Sequence, residues 1–425
     1  MRRCTLKMYF KYMFKGVLKM ALSKRTIDII KSTVPALEVH GVQITSVFYK
    51  KMFSAHPELL NIFNHANQSQ GRQQTALANM VYTAAKHIDQ LENILPAVQQ
   101  VAYKHRGLGV KPEHYPIVGK YLLIAIKEVL GEAATEEILE AWGEAYGFIA
   151  QAFIDLEDEL YEKAKNQAGG WDGFKDFEVV EKVKESDVIT SFYLKPSDGN
   201  QVPTFNPGQY ITVRVHIPGE HYSLNRQYSL SVSPNKGYFR ISVKKETDFV
   251  PNGKVSNYLH DHVSEGDTLE VSAPAGDFHL NENEDAPIAL ISGGVGLTPM
   301  MSMLDALVQS DSKRKVTYIH SSRHEGVHAF AEDVPTMISK LENGEFYFGY
   351  EKPMNPNGNH HFTGYLTKEF LQNKIDENTV CYVCGPVPFL KAVVNILESL
   401  GVPENNIRYE FFGPAMQLQK EKATV

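Results

Sequence analysis

Between residue 23 and about residue 165, apolar side chains recur at three- and four-residue steps, with almost no strict alternation. That spacing predicts helices almost throughout, broken at Gly41, Pro57, Gly71, Pro112 and Gly131, with Ser23 placed to cap the first. The periodicity stops at Asn166-Gln-Ala-Gly-Gly-Trp-Asp-Gly173, whose clustered glycines read as a linker. From Phe177 to about Leu280 the pattern changes to short runs punctuated by turn residues. Six strands are expected there, Glu178 to Val183, Ile189 to Leu194, Tyr210 to His216, Gln227 to Val232, Phe239 to Lys244 and Thr268 to Ser272, enough for a small antiparallel barrel. Beyond Pro287 strands alternate with helices: Ile288 to Ser292 then a helix from Pro299, Val316 to His320 then a helix near Ala331, and Val380 to Cys384 then a helix after Pro386. That alternation predicts a doubly wound α/β domain. The expected division is an N-terminal extension over 1–20, an all-α domain over 21–168, a β-barrel over 173–280 and an α/β domain over 281–425.

Composition narrows the function classes. The chain is 43% hydrophobic and 22% charged, with 30 Gly and 21 Pro and no low-complexity tract, which is the profile of a folded globular protein. A net charge of −7 argues against a nucleic-acid surface. No apolar run reaches the roughly 18 to 20 residues of a membrane span. The three cysteines, Cys4, Cys381 and Cys384, exclude a disulfide framework and fit a reducing compartment, so a cytoplasmic protein is expected. Cys381 and Cys384 lie in an apolar strand pattern that sends positions i and i+3 to opposite faces, which removes a redox or zinc role. The first nineteen residues are basic and aromatic without an acid, and read either as an amphipathic targeting segment or as an extension upstream of a start at Met20.

Candidate chemistry appears in each block. Six histidines lie in the helical block. Ile94, Ala97, Val98 and Val101 form a stripe that leads to His105, while His87 shares another with Met80 and Ala84, so periodicity leaves both as inward-facing imidazoles. In the barrel, Arg226-Gln-Tyr-Ser229 puts Arg226 and Tyr228 on one strand face, a guanidinium for a pyrophosphate beside a ring that can pack on a flat cofactor. Gly253-Lys-Val-Ser256 reads as a turn into a helix whose free N–H groups suit phosphates. In the α/β domain, Ile288 to Pro299 is an apolar strand, a glycine turn and a helix start, G-x-G-x-x-P in place of the usual third glycine, and Cys384-Gly-Pro386 ends a strand facing the same crevice. After the second strand, His320-Ser-Ser-Arg323-His offers Arg323 where an acid would hold a ribose 2′-hydroxyl.

Ala102-Tyr-Lys-His105, Val110-Lys-Pro-Glu-His-Tyr115-Pro-Ile-Val-Gly, Val47-Phe-Tyr49, Asn61-Ile-Phe63-Asn, Asn67 to Gln73 and Ala141-Trp-Gly-Glu-Ala-Tyr-Gly are similar to the haem domain of flavohaemoglobins. Together with the motifs of the other two blocks they make the chain resemble that family from residue 21 to 414 in order and spacing. The resemblance implies an all-α globin, an antiparallel β-barrel FAD-binding domain and a ferredoxin-reductase-like NAD(P)-binding domain, with haem b, FAD and NADH or NADPH as cofactors. It implies His105 as the iron ligand with Lys104 beside it, Tyr115 and Glu157 behind the ligand, and Tyr49, Gln73 and Phe63 on the distal side. From the residues alone Glu157 reads as a solvated acid in an acidic run and Tyr49 as a packing tyrosine. For FAD it implies Tyr210, Arg226, Gln227, Tyr228, Ser229 and Ser256, with Glu410, Phe411, Phe412, Gly413 and Pro414 laying an aromatic ring beside the flavin, although from the residues alone Phe411 and Phe412 serve a terminal core strand equally well. For the nicotinamide nucleotide it implies Gly294, Val295, Gly296, Leu297, Thr298, Pro299, Cys384, Gly385 and Pro386, with NADH preferred and NADPH accepted. The implied activity is the conversion of nitric oxide and O₂ to nitrate, by a monomer without an obligate protein partner. Its rivals are oxygen storage or gas sensing, which would not require a reductase on the same chain, and a general flavin reductase with an incidental globin.

Overall fold

The computed structural model describes residues 22–248 and 250–413; the expected extension over 1–20, Cys4 and Pro414 lie outside the described residues. Among these, no helix is long and apolar enough to cross a membrane. The chain divides into two compact units, one running to Lys163 and taking in His221–Leu224, the other comprising Ala164–Glu220 and Asn225 onward.

The first unit is helical: α1 (Lys24–Ser32), α2 (Val34–Ala55), α3 (His65–Ser69), α4 (Arg72–Lys86), α5 (Leu95–Leu108), α6 (His114–Leu130) and α7 (Glu136–Asn166). Ser23 caps α1, its hydroxyl accepting from the Thr26 N–H at 3.0 Å. The expected break at Gly41 is absent. α2 runs through it because Leu37, Ile44, Phe48, Tyr49 and Met52 form a continuous buried stripe around it, and packing of that stripe outweighs the ~1 kcal/mol that a mid-helix glycine costs. The buried side chains form two clusters, one built on α2, α6 and the start of α7, the other on Ala84, Ile94, Val98, Ala102, Tyr115 and Phe153.

In the second unit, β1 (Phe174–Lys184), β2 (Ile189–Pro196), β3 (Tyr210–Val215), β4 (Leu224–Ser229), β5 (Phe239–Lys244) and β6 (Thr268–Ser272) form one sheet in the order β4-β3-β6-β1-β2-β5. The expected strand over Gln227 to Val232 sits three residues too far along. After Ser229 the chain changes partner: Leu230 bridges to Ile241 and the Ser231 N–H reaches the Arg240 carbonyl at 2.8 Å, joining the two outermost strands and closing the barrel. The linker also has a structural role, since the indole of Trp171 is buried on Phe177 and Phe239 and donates to the Val271 carbonyl. One helix, α8 (Lys254–His262), lies between β5 and β6 in sequence. The Lys182 ammonium satisfies its end, donating to the carbonyls of Leu259, His260 and Val263.

The remaining strands, β7 (Ile288–Gly293), β8 (Val316–Ser322), β9 (Gly344–Tyr350), β10 (Phe362–Thr363), β11 (Val380–Cys384) and β12 (Ile407–Glu410), build a parallel sheet in the order β10-β9-β8-β7-β11-β12. Helices α9 (Leu297–Gln309), α10 (Asp333–Ile338), α11 (Lys368–Leu371) and α12 (Val387–Ser399) complete it. The helix expected near Ala331 begins at Asp333, and β9, β10 and β12 add to the three strands expected. Chain order reverses between β8, β7 and β11, so the carboxyl ends of β7 and β11 flank the switch-point crevice where such sheets bind ligands. Cys381 and Cys384 belong to core clusters on opposite faces of this sheet.

Candidate functional site

His105 lies in the last turn of α5, and its backbone is fixed by the way that helix ends. Gly109 adopts a left-handed φ of 78°, the Gly109 N–H bonds the Arg106 carbonyl, and the Val110 N–H reaches back to the His105 carbonyl at 3.0 Å. The side chain is fixed from behind. Nδ1 stands 2.8 Å from the Glu157 carboxylate, and the Tyr115 hydroxyl donates to the same oxygen at 2.6 Å. Glu157 is only 4% exposed while the imidazole is 32% exposed, so one edge of the ring faces a buried acid and the other is open. With the Nδ1 proton held by the carboxylate, Nε2 carries the free lone pair. Burial and then the neighbouring Glu157 charge push the Tyr115 phenol far up, keeping it a hydrogen-bond donor. Tyr115 is itself anchored: the Tyr146 hydroxyl donates to its carbonyl at 2.7 Å, a contact made possible by Gly119, where any Cβ would stand 2.5 Å from the Tyr146 ring. Lys104 is half-buried beside His105. His87, the rival imidazole, closes α4.

Tyr49 and Gln73 are brought together from α2 and α4. The Gln73 amide is within hydrogen-bonding reach of the buried Tyr49 phenol, whose ionisation burial suppresses. Phe63 packs edge-on against Tyr49 with centroids 5.8 Å apart and against Phe53 at 5.1 Å.

In the barrel, Arg226 and Tyr228 share a face of β4 as the alternation predicts; burial lowers the Arg226 guanidinium, and burial raises the Tyr228 phenol. Gln227 between them has an Nε2 that is buried with no hydrogen-bond partner among the described residues, and Ser229 is buried at the strand end. Tyr210 lays its ring over Gly276, where a Cβ would come within 3.0 Å of it. Ser256 stands in the first turn of α8, its hydroxyl donating to the Gly253 carbonyl and accepting from the Glu246 N–H. The α8 amino end itself has no side-chain cap.

In the α/β domain the two glycine turns interlock. Gly294 has a left-handed φ of 54°, and a Cβ on Gly296 would meet the Cys384 carbonyl oxygen at 2.3 Å. Conversely a Cβ on Gly385 would meet Phe389 at 2.7 Å and the Gly293 backbone at 3.2 Å. Only glycine allows these turns to approach. Val295 precedes Gly296, the Thr298 hydroxyl donates to the Val295 carbonyl at 3.1 Å, and Leu297, Thr298 and Pro299 form the first turn of α9. Pro386 caps α12. Glu410 pairs with Cys384 in register, so β12 ends beside the same crevice; Phe411 then packs towards α12 while Phe412 is 44% exposed, and Gly413 follows.

Three families match the three blocks: Globin over residues 46–153, the oxidoreductase FAD-binding domain over 176–280 and the oxidoreductase NAD-binding domain over 290–395. A Flavohemoprotein of Bacillus thuringiensis subsp. konkukian is 57% identical over 403 residues, covering 94% of this chain and all of the relative. The chain belongs to the flavohemoprotein family. Flavohemoprotein A of Dictyostelium discoideum is 49% identical over 93% of this chain and 99% of its own length. The crystal structure of a flavohemoglobin from Malassezia yamatoensis with bound FAD and heme superposes with a TM-score of 0.82 at 28% identity, over 92% of this chain and all of that one. The FAD/NAD-binding domain of a nitric oxide dioxygenase from Vibrio cholerae is 38% identical with a TM-score of 0.53, over 56% of this chain and 99% of its own.

This flavohemoprotein thus carries domains for haem, FAD and a nicotinamide nucleotide, and its residues fit all three groups. An imidazole with Nδ1 engaged and Nε2 open is a donor for iron. The orphaned amide of Gln227 beside a desolvated guanidinium and an uncapped helix start suit a flat heterocycle with a pyrophosphate. Two turns that exclude any Cβ make a cradle for a phosphate backbone.

One buried polar chain in the α/β domain has no counterpart in the sequence reading. The Ser292 hydroxyl meets His320 Nδ1 at 2.9 Å, the His320 and His328 rings lie 4.4 Å apart, and His328 Nδ1 meets the Tyr350 hydroxyl at 2.9 Å. Its members come from β7, β8, a loop and β9, and no local pattern links them.

Proposed function

We propose that this flavohemoprotein is an NAD(P)H-dependent nitric oxide dioxygenase, a cytoplasmic monomer that turns nitric oxide and O₂ into nitrate and so removes nitrosative stress. The observation that supports catalysis over storage is the buried Tyr115–Glu157 pair behind His105. A carboxylate accepting the Nδ1 proton gives the ligand imidazolate character, which favours activating oxygen over merely holding it. When bound, the nicotinamide nucleotide supplies two electrons, FAD divides them, and haem supplies an iron that takes them singly. Tyr49 and Gln73 supply a hydroxyl and an amide on the distal side, donors suited to partial negative charge on a diatomic ligand. Arg226 and the α8 amino end hold FAD phosphates, with Tyr228, Gln227, Ser229 and Tyr210 on its ring system and the Phe411–Phe412 segment beside it. The interlocked Gly294–Gly296 and Cys384–Pro386 turns hold the nicotinamide nucleotide, NADH in preference to NADPH.

The test is NADH oxidation by the purified full chain in air, with and without added nitric oxide. The expected result is a large acceleration with one nitrate formed per nitric oxide consumed. Oxidation indifferent to nitric oxide would leave a flavin reductase, and reversible binding of O₂ or nitric oxide without oxidation of NADH would leave a store or sensor.

A further inference from the structure

Helix α9 is mostly apolar and is buried from Leu297 to Leu307, yet it carries Ser302, Asp305 and Gln309 at steps of three and four, hence on one face. All three meet the barrel. The Ser302 hydroxyl donates to the Val232 carbonyl at 2.7 Å and accepts from the Gly208 N–H at 3.3 Å. One Asp305 carboxylate oxygen accepts from both the N–H and the hydroxyl of Ser233, at 3.0 and 2.6 Å, and the other lies 3.4 Å from the Lys236 ammonium. The Gln309 amide donates to the same Ser233 hydroxyl at 2.6 Å. Gly208 shows how closely the two parts are pressed together: its φ is 106°, and a Cβ there would stand 2.5 Å from Met303 and 2.7 Å from the Phe278 carbonyl oxygen.

The side chain of Asp305 is only 9% exposed. Burying an acid is a poor way to gain stability, because an apolar residue of similar volume often serves as well. What hydrogen bonds add is direction, which apolar contact lacks. The two ends of this seam lead to the two nucleotide sites. On the helix, Ser302 follows Thr298 by one turn, and Thr298 belongs to the cradle that begins at Gly294. On the barrel, Gly208 lies two residues before Tyr210, while Val232 and Ser233 continue the segment that carries Arg226, Gln227, Tyr228 and Ser229. Asp305 stands about 10 Å of helix rise from Thr298. A small tilt of α9 about that point carries the cradle by about 1 Å, and misplacement on this scale costs up to about a hundred-fold in rate.

We propose that the Ser302–Asp305–Gln309 stripe sets the spacing between the nicotinamide and the flavin, with Asp305 as a positioning residue for hydride transfer. In that transfer a C–H bond of NADH breaks, its hydrogen and both electrons pass to FAD, and NAD⁺ and the two-electron-reduced flavin anion result. The inference rests on the reading above only in that NADH reduces the flavin; neither nitric oxide nor O₂ enters it. Anaerobic stopped flow on the full chain loaded with haem and FAD tests it. Asp305→Leu should slow the limiting rate of flavin reduction at least ten-fold, with the Kd for NADH within three-fold and FAD content unchanged. It should also weaken the long-wavelength charge-transfer absorbance of the nicotinamide–flavin pair and speed amide exchange at Ser233. Asp305→Asn keeps an acceptor for both Ser233 bonds and should restore the rate to within three-fold of the unaltered chain. If Asp305→Leu fails to fold, Ser302→Ala carries the test with the same expected pattern. An unchanged limiting rate, a loss wholly explained by a raised Kd, or no recovery in Asp305→Asn overturns the proposal while the unaltered chain is still reduced normally. Flavin in the unaltered chain that NADH does not reduce would instead sink the reading on which the proposal stands, and the proposal with it.

Discussion

Glu157 is the residue at which sequence and structure part most sharply. In the run Asp155-Leu-Glu-Asp-Glu every acid looks equally solvated, because nothing local says that one carboxylate is opposed by a tyrosine from α6 and a histidine from α5. Burying it unpaired would be costly, and its two hydrogen bonds offset that. Glu157→Gln keeps the shape but removes the charge that draws on the Nδ1 proton. Nitric-oxide-dependent turnover should fall roughly 10- to 100-fold with haem retained, and resonance Raman should show a lower iron–histidine stretching frequency, which a merely structural role would not produce. On the other side, Tyr49→Phe removes one donor; a hydrogen bond of about 1 to 1.5 kcal/mol corresponds to roughly a ten-fold faster O₂ dissociation, read by stopped flow. Arg323 shows how a side chain can be present but engaged: its guanidinium is paired with Asp248 at 3.3 Å, and Asp248 is also held by Lys244. A 2′-phosphate has to compete with that acid, so Arg323→Ala should lower kcat/KM for NADPH several-fold and leave the NADH value within two-fold.

Elements were legible where one face repeats and opaque where the partner changes. β7 and β11 are almost wholly apolar and, with the first five residues of β8, buried throughout, and β5 and β6 were placed to the residue, since a buried strand needs little context to be recognised. β9 was missed because the first four residues of Gly344–Tyr350 are only partly buried, whereas β12 was open as one of two readings, since Tyr409 to Phe412 suit a terminal core strand as well as a segment beside a flavin. Gly41 misled for the opposite reason, a local breaker overridden by the stripe around it. The glycine turn before α9 was legible because strand, turn and helix start adjoin in sequence, yet its partner was not: that Gly296 lies against Cys384 follows only from the β7–β11 pairing. Gly296→Ala should therefore act on the nucleotide cradle alone. A Cβ 2.3 Å from the Cys384 carbonyl must push the two turns apart, so KM for NADH should rise at least ten-fold while haem content and absorption stay unchanged.

At the scale of the whole molecule, each compact unit has its own buried clusters, so thermal unfolding should show two transitions, and acid should weaken one of them selectively. Burial holds His328 down to about 4, and burial followed by the neighbouring His328 holds His320 well below the ordinary imidazole value, in a pocket completed by Ser292, Phe348 and Tyr350. Above about pH 6.5 both folded and unfolded states keep these rings neutral. As pH falls from there towards 4, only the unfolded chain takes up the protons, so stability of the reductase unit is lost across that window, by up to about 3 kcal/mol for His328. Calorimetry from pH 7 to 4.5 should show the reductase transition moving down steeply and the helical one less so; His328→Gln should flatten the first. Equal shifts in both transitions, or none after substitution, would contradict this.

The sealing of the two described cysteines has a chemical corollary. Burial drives the Cys381 thiol up to about 12 and the Cys384 thiol well above its ordinary value, on opposite faces of a sheet and with neither sulfur exposed. Nitrosating and oxidising agents attack thiolates that they can reach. The two described cysteines thus offer such agents no accessible thiolate, and the crevice that Cys384 helps to build is closed to attack through its sulfur.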